Sequence, residues 1–96
     1  MIQVSVRSIL TIKEVLGKGD IQLRAPEGST VSDLLASMAE RWGEEFSSLV
    51  FDPSGHLFPH IRVMVNGRDL AFLEKKAETV LREGDEILIL SPAGGG

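Results

Sequence analysis

The sequence has no cysteine, four prolines and only five aromatic side chains, Trp42 with Phe46, Phe51, Phe58 and Phe72. Without cysteine there is no disulfide and no thiolate metal site, a composition that fits a cytoplasmic protein. With so few aromatics, the core of a 96-residue chain has to be filled by aliphatic side chains. No apolar run approaches the roughly 20 residues of a membrane span. The N-terminus lacks the charged segment and apolar block of a signal peptide, so none is expected. Acidic residues outnumber basic ones, 14 to 10, for a net charge of −4. That balance argues against a nucleic-acid surface, which needs clustered Lys and Arg, and against anionic membranes. Phosphate-cradling loops and the HExxH metal motif are missing too, so neither a cofactor nor an internal catalytic site is expected.

The chain is rich in strand patterning. Ile2, Val4 and Val6 alternate with Gln3, Ser5 and Arg7, the period of a half-buried strand. A loop containing Gly17-Lys18-Gly19 is expected next, then a second strand in which Ile21 and Leu23 alternate with Gln22 and Arg24. Pro26-Glu27-Gly28 stops it. Thr30 is a good helix N-cap with Asp33 three residues on, the spacing of a capping box. Val31, Leu34, Leu35, Met38, Ala39 and Trp42 then lie on one stripe of a helix of about three turns, with Gly43 as the expected stop.

From Glu44 to Pro59 the pattern is weak apart from a turn at Asp52-Pro53-Ser54-Gly55. His56 and His60 are four apart, but Pro59 between them breaks any helical ligand face, and solvated or core-edge histidines are expected rather than a metal site. Ile61, Val63 and Val65 alternate again, and Asn66-Gly67 is a strong hairpin signal, so a short return strand near Arg68–Leu70 should follow. Residues 71–79 read as a loop or short helical turn. Arg82-Glu83-Gly84-Asp85 makes a turn before the unbroken apolar run Ile87-Leu88-Ile89-Leu90, which suits a central strand. The order ββαβββ predicts an α+β chain of the β-grasp type: a mixed sheet with one main helix across one face. Alternation puts Ile87 and Ile89 on one face of that strand and Leu88 and Leu90 on the other, and the helix can cover only one of the two.

The chain closes with Ser91-Pro92-Ala93-Gly94-Gly95-Gly96. Alone, such a segment reads as a frayed end or a linker remnant. Together with Thr30-Val31, Leu34-Leu35, Val65-Asn66-Gly67-Arg68 and Leu81-Arg82-Glu83-Gly84-Asp85-Glu86, it resembles the MoaD/ThiS group of ubiquitin-like sulphur carriers, most closely the small subunit of molybdopterin synthase. Ser91, Ala93 and Gly94 stand where that family usually has a proline, a bulky residue and an alanine. The resemblance implies a β-grasp domain over residues 1–93 and a flexible glycine tail over 94–96. It also implies that Ile87 and Ile89 face inward beneath Leu34, Leu35 and Met38, which leaves Leu88 and Leu90 on the open face beside Gln3, Ser5 and Arg7. It implies that a ubiquitin-activating-type enzyme adenylates the Gly96 carboxylate, with Gly95 beside it, and that sulphur then converts it to a thiocarboxylate. With no thiol on the chain, the terminus is the only place to carry sulphur. A larger synthase subunit would receive that sulphur for molybdopterin, gripping Leu88, Leu90, Pro92, Gly94 and Arg7. Two alternatives stay open: a modifier joined to target lysines through Gly96, and a non-catalytic interaction domain with an inert end. In none of the three is the chain an enzyme.

The tail generates one prediction of its own. Gly94, Gly95 and Gly96 should be extended or disordered in the unbound protein, since nothing after Pro92 is bulkier than a methyl group. Their packing into the domain's own core, seen in an experimental structure, would refute a threading tail.

Overall fold

A computed structural model describes residues 1–91. The expected domain boundary at residue 93, the extended tail, and the site positions Pro92, Gly94, Gly95 and Gly96 lie outside the described residues.

Five strands form one sheet in the order β2-β1-β5-β3-β4, made of β1 (Ile2–Ser8), β2 (Asp20–Ala25), β3 (Arg62–Val65), β4 (Arg68–Asp69) and β5 (Glu86–Leu90). β5 runs parallel to β1 and antiparallel to β3, so the last strand is central and the sheet is mixed, as its apolar run predicts. Each strand's alternation sorts its side chains. Val4, Val6, Val63, Ile87 and Ile89 are buried on one face, while their neighbours in sequence point to the other.

The main helix, α2 (Val31–Trp42), covers that buried face with Val31, Leu34, Leu35 and Met38. Its start is a complete capping box. The Thr30 hydroxyl accepts from the Asp33 amide at 3.1 Å, and the Asp33 carboxylate accepts from the Thr30 amide at 2.9 Å. Gly43 ends it, its N–H donating to the Ala39 carbonyl at 2.8 Å.

Two shorter helices accompany α2 and correct the sequence reading. The first hairpin's connection contains α1 (Leu10–Leu16), which buries Ile12 and Leu16 one turn apart and closes on Gly17 at φ 89°. The weakly patterned stretch after Gly43 begins with α3 (Glu44–Val50), which buries Phe46 and Val50. The turn at Asp52–Gly55 is present, closed by the Gly55 amide on the Asp52 carbonyl at 2.9 Å. Asn66 and Gly67 have φ of 50° and 85°, both left-handed, as a type I′ hairpin turn requires. The return strand is one residue shorter than expected, because Leu70 turns inward to open a 3-10 turn, Leu70–Phe72. A second 3-10 turn covers Lys76–Glu78.

Core and surface positions should respond very differently to truncation. Phe46 has no exposed surface, whereas Phe72 is 85% exposed. Phe46→Ala should cost about 3–5 kcal/mol in denaturant unfolding, and Phe72→Ala should stay within about 0.5 kcal/mol of wild type. Ser8 faces the core, and among the described residues its hydroxyl has no hydrogen-bond partner. Because an unpaired buried hydroxyl keeps its desolvation cost, Ser8→Ala should leave stability unchanged or raise it, by up to about 1 kcal/mol.

Candidate functional site

The helix layer leaves the other face of the sheet open, and β5 runs down its middle. Outward from β5 point Leu88 and Leu90, both half-buried. Cross-strand register places Arg7 of β1 and Met64 of β3 on either side of Leu88, and Arg62 of β3 opposite Leu90. The division of the apolar run agrees with expectation: Ile87 and Ile89 inward, Leu88 and Leu90 outward. The leucines are partly buried, with these residues as their cross-strand neighbours. Arg62 and Met64 were not singled out from the sequence, although the alternation that sends Val63 and Val65 inward sends these two outward.

Each arginine has a carboxylate from an edge strand. Arg7 lies 3.8 Å from Asp20, with both side chains more than half exposed, and Arg62 donates to Asp69 at 3.0 Å. The Arg7–Asp20 pair, in such solvent contact, contributes little to stability, so Arg7 can exchange partners at small cost. The Asp69 side chain is only 17% exposed, and Arg62 is held more closely. The face thus has an apolar strip of Leu88, Leu90 and Met64 edged by two cations. What it offers a partner is apolar surface and positive charge. Of the positions expected to meet a partner, Arg7, Leu88 and Leu90 come together here; β5 then delivers the chain through Ser91 towards the glycines.

Away from this face, the Asp52 turn is held by its own hydrogen bonds. Asp52 Oδ1 accepts from the Ser54 amide at 2.9 Å, the Ser54 hydroxyl at 2.6 Å and the His56 amide at 3.1 Å. The Ser54 hydroxyl gives its one proton to Asp52. Its contact with His56 Nδ1 at 2.9 Å is then best met by an Nδ1–H donor. His60 stacks on Phe58 with ring centroids 5.1 Å apart. Among the described residues no group of three or more His, Asp or Glu side chains is placed to hold a metal ion, and no helix is long and apolar enough to cross a membrane. A shallow trough between α2 and α3, lined by Ala36, Ala39, Ser47, Ser48 and Phe51, lies on the helical side, away from β5's outward side chains.

Two carboxyl groups titrate low. The Ser54 hydroxyl, followed by the His56 amide, holds Asp52 below its ordinary 3.8, and the Ala71 amide, with help from Arg62, does the same for Asp69. A depressed folded-state pKa stabilises the fold above the unfolded value, and that contribution is lost as pH falls through the folded one. Carboxyl NMR titrations should accordingly place both midpoints below 3.8. Ser54→Ala should raise that of Asp52. Arg62→Ala should raise that of Asp69 only in part, because the Ala71 amide remains. Midpoints at or above the ordinary value would contradict the hydrogen bonding described.

The ThiS family matches residues 10–96 of the chain. Small archaeal modifier protein 3 of Haloferax volcanii is 32% identical over 94 residues, covering 98% of this chain and 99% of that protein. A candidate sulfur carrier protein of Archaeoglobus fulgidus is 33% identical over 81 residues, covering 84% and 89% of the two chains. Among solved structures, small archaeal modifier protein 1 of Methanosarcina acetivorans superposes with a TM-score of 0.79 at 28% identity, covering 100% of this chain and 98% of that one. The ubiquitin-like β-grasp fold agrees with expectation. The expected closeness to the small subunit of molybdopterin synthase does not: the relative that is 32% identical over nearly the whole chain is an archaeal small modifier, as is the Methanosarcina structure, and that finding replaces it.

Proposed function

The chain belongs to the ThiS family, and from that premise we propose that it is a ubiquitin-like modifier, joined through the Gly96 carboxylate to lysine amines of target proteins. It is a carrier-type protein and not an enzyme. The observation that carries the proposal is the 32% identity to small archaeal modifier protein 3, which extends over nearly all of both chains. A free carboxylate is a poor electrophile, so an adenylating enzyme must first activate it. The Gly96 carboxylate attacks the α-phosphorus of ATP, pyrophosphate leaves, and an acyl adenylate forms. A lysine amine then attacks the acyl carbon, AMP leaves with the bonding electron pair, and an isopeptide bond remains.

Side-chain-free residues suit this task, since Gly94, Gly95 and Gly96 can enter a narrow active-site channel. The open face supplies the docking surface, with Leu88, Leu90 and Met64 as apolar anchors and Arg7 and Arg62 as cations for a partner's carboxylates; Pro92 would begin the threaded segment. A second reading shares the first step. If a sulphur donor meets the adenylate instead of an amine, the product is a thiocarboxylate, and a larger synthase subunit would then take the sulphur. Membership of the ThiS family and the likeness to the Archaeoglobus candidate carrier support keeping it.

Tagged chain expressed in the source cells should appear in higher-mass conjugates. Peptide mass spectrometry should find Gly96 linked to lysine side chains, and removal of Gly95 and Gly96 should abolish the conjugates. Conjugates that persist after that removal, or an intact mass that shows only oxygen-to-sulphur exchange at the terminus, would overturn the modifier reading. Docking is tested separately. Leu90→Asp should weaken binding of the adenylating enzyme by about 2 kcal/mol or more, roughly thirtyfold, with a small change in Tm. Unchanged affinity would remove this face from the interface, and unfolding would place Leu90 in the core.

A further inference from the structure

Asn66 and Gly67 make the two-residue turn between β3 and β4. An Asn-Gly pair is chemically labile because the glycine nitrogen, with no side chain beside it, can approach the neighbouring carboxamide. The Gly67 nitrogen loses its proton and attacks Asn66 Cγ. The Cγ–Nδ2 bond breaks and ammonia leaves, closing a succinimide. Water then opens the ring at either carbonyl, which gives aspartate or isoaspartate at position 66.

In this fold the Asn66 carboxamide is held at both ends. Its Nδ2 donates to Asp85 Oδ1 at 2.9 Å, and its Oδ1 accepts from the Glu86 amide at 2.9 Å. Asp85 is fixed in turn. Its other carboxylate oxygen accepts from the Arg82 amide at 2.8 Å, and its backbone carbonyl accepts from the Ser5 amide at 2.9 Å. The Asn66 backbone N–H donates to the Glu86 carbonyl at 2.8 Å. Swinging Cγ against the Gly67 nitrogen requires the side chain to leave both of its partners.

We infer that Asn66 is a latent deamidation site, with water as co-reactant, kept closed in the folded chain by the Asp85 carboxylate and the Glu86 amide. Its opening has a consequence for the proposed docking face. Conversion replaces a donor to Asp85 with a second carboxylate, and the isoaspartate product also lengthens the backbone within a tight turn. Glu86 is the first residue of β5, so the damage falls on the strand that carries Leu88 and Leu90.

The test compares the full chain in native buffer with the same chain in denaturant, both at mildly alkaline pH. Conversion at Asn66 is read by peptide mass mapping and isoaspartate detection. Folded wild type should convert on the order of tenfold or more slowly than the denatured chain, because attack then waits on local opening. Folded Asp85→Ala should convert several-fold faster than folded wild type. Equal rates for folded and denatured wild type overturn the inference, as does an unchanged rate in an Asp85→Ala chain shown by melting to be folded. If Asp85→Ala does not fold, Asn66→Asp decides in its place, together with the wild-type comparison. It should lower Tm, and an unchanged Tm would show that a carboxylate beside Asp85 does not disturb the junction.

Discussion

One layer of helices can dry only one face of a sheet, and the central strand must divide its side chains accordingly. In β5 that division falls between Ile87 and Ile89, which are fully buried beneath the helices, and Leu88 and Leu90, which face outward and are partly buried. The inward pair contributes on the order of 1.5–3 kcal/mol per side chain through burial. The outward pair contributes less to the fold and remains available for contact. Thus a single five-residue strand anchors the core, presents an apolar strip, and leads the chain towards its glycines. Its parallel pairing with β1 and antiparallel pairing with β3 bring Arg7 and Arg62 to the two sides of that strip.

The start of β5 is secured by a polar junction. Ser5, Asn66, Arg82, Asp85 and Glu86 exchange hydrogen bonds among backbone amides, one carboxylate and one carboxamide. It ties the β3–β4 turn and the turn before β5 to the first strand. The Val65-Asn66-Gly67 and Gly84-Asp85-Glu86 segments, which carried much of the family resemblance, thereby acquire a physical role. They set the register of the strand that bears the outward leucines. The same junction restrains a labile Asn-Gly pair, so register and chemical integrity depend on the same contacts.

Elements with a long period or a strong local signal were legible in the sequence. The α2 stripe extends over three turns, and its Thr30–Asp33 capping box and Gly43 stop are local hydrogen-bonding devices, so each could be recognised without tertiary context. Alternation separated the two faces of β5, and the family resemblance helped to decide which of them is open. The α1 and α3 helices were not. Each has seven residues, too few for a repeating stripe, and each buries just two side chains. Gly43 also serves twice, as the C-cap of α2 and the N-cap of α3, so a signal that reads as a stop is equally a start. The flanks of the site were missed for a different reason. Arg62 and Met64 acquire meaning only once β3 is known to lie beside β5, a pairing between distant segments. The molybdopterin expectation rested mainly on Gly84-Asp85-Glu86, the apolar strand, Pro92 and the closing glycines, a pattern that did not separate a carrier from a modifier.

We propose that the open face around β5 receives the activating partner. That placement is tested most directly by following the backbone amide NMR signals of the full chain as its adenylating enzyme is added. The largest perturbations should fall at Arg7, Arg62, Met64, Leu88 and Leu90, with the α2–α3 trough unaffected. Perturbations concentrated at Ala36, Ser47 and Ser48, with β5 unchanged, would contradict it.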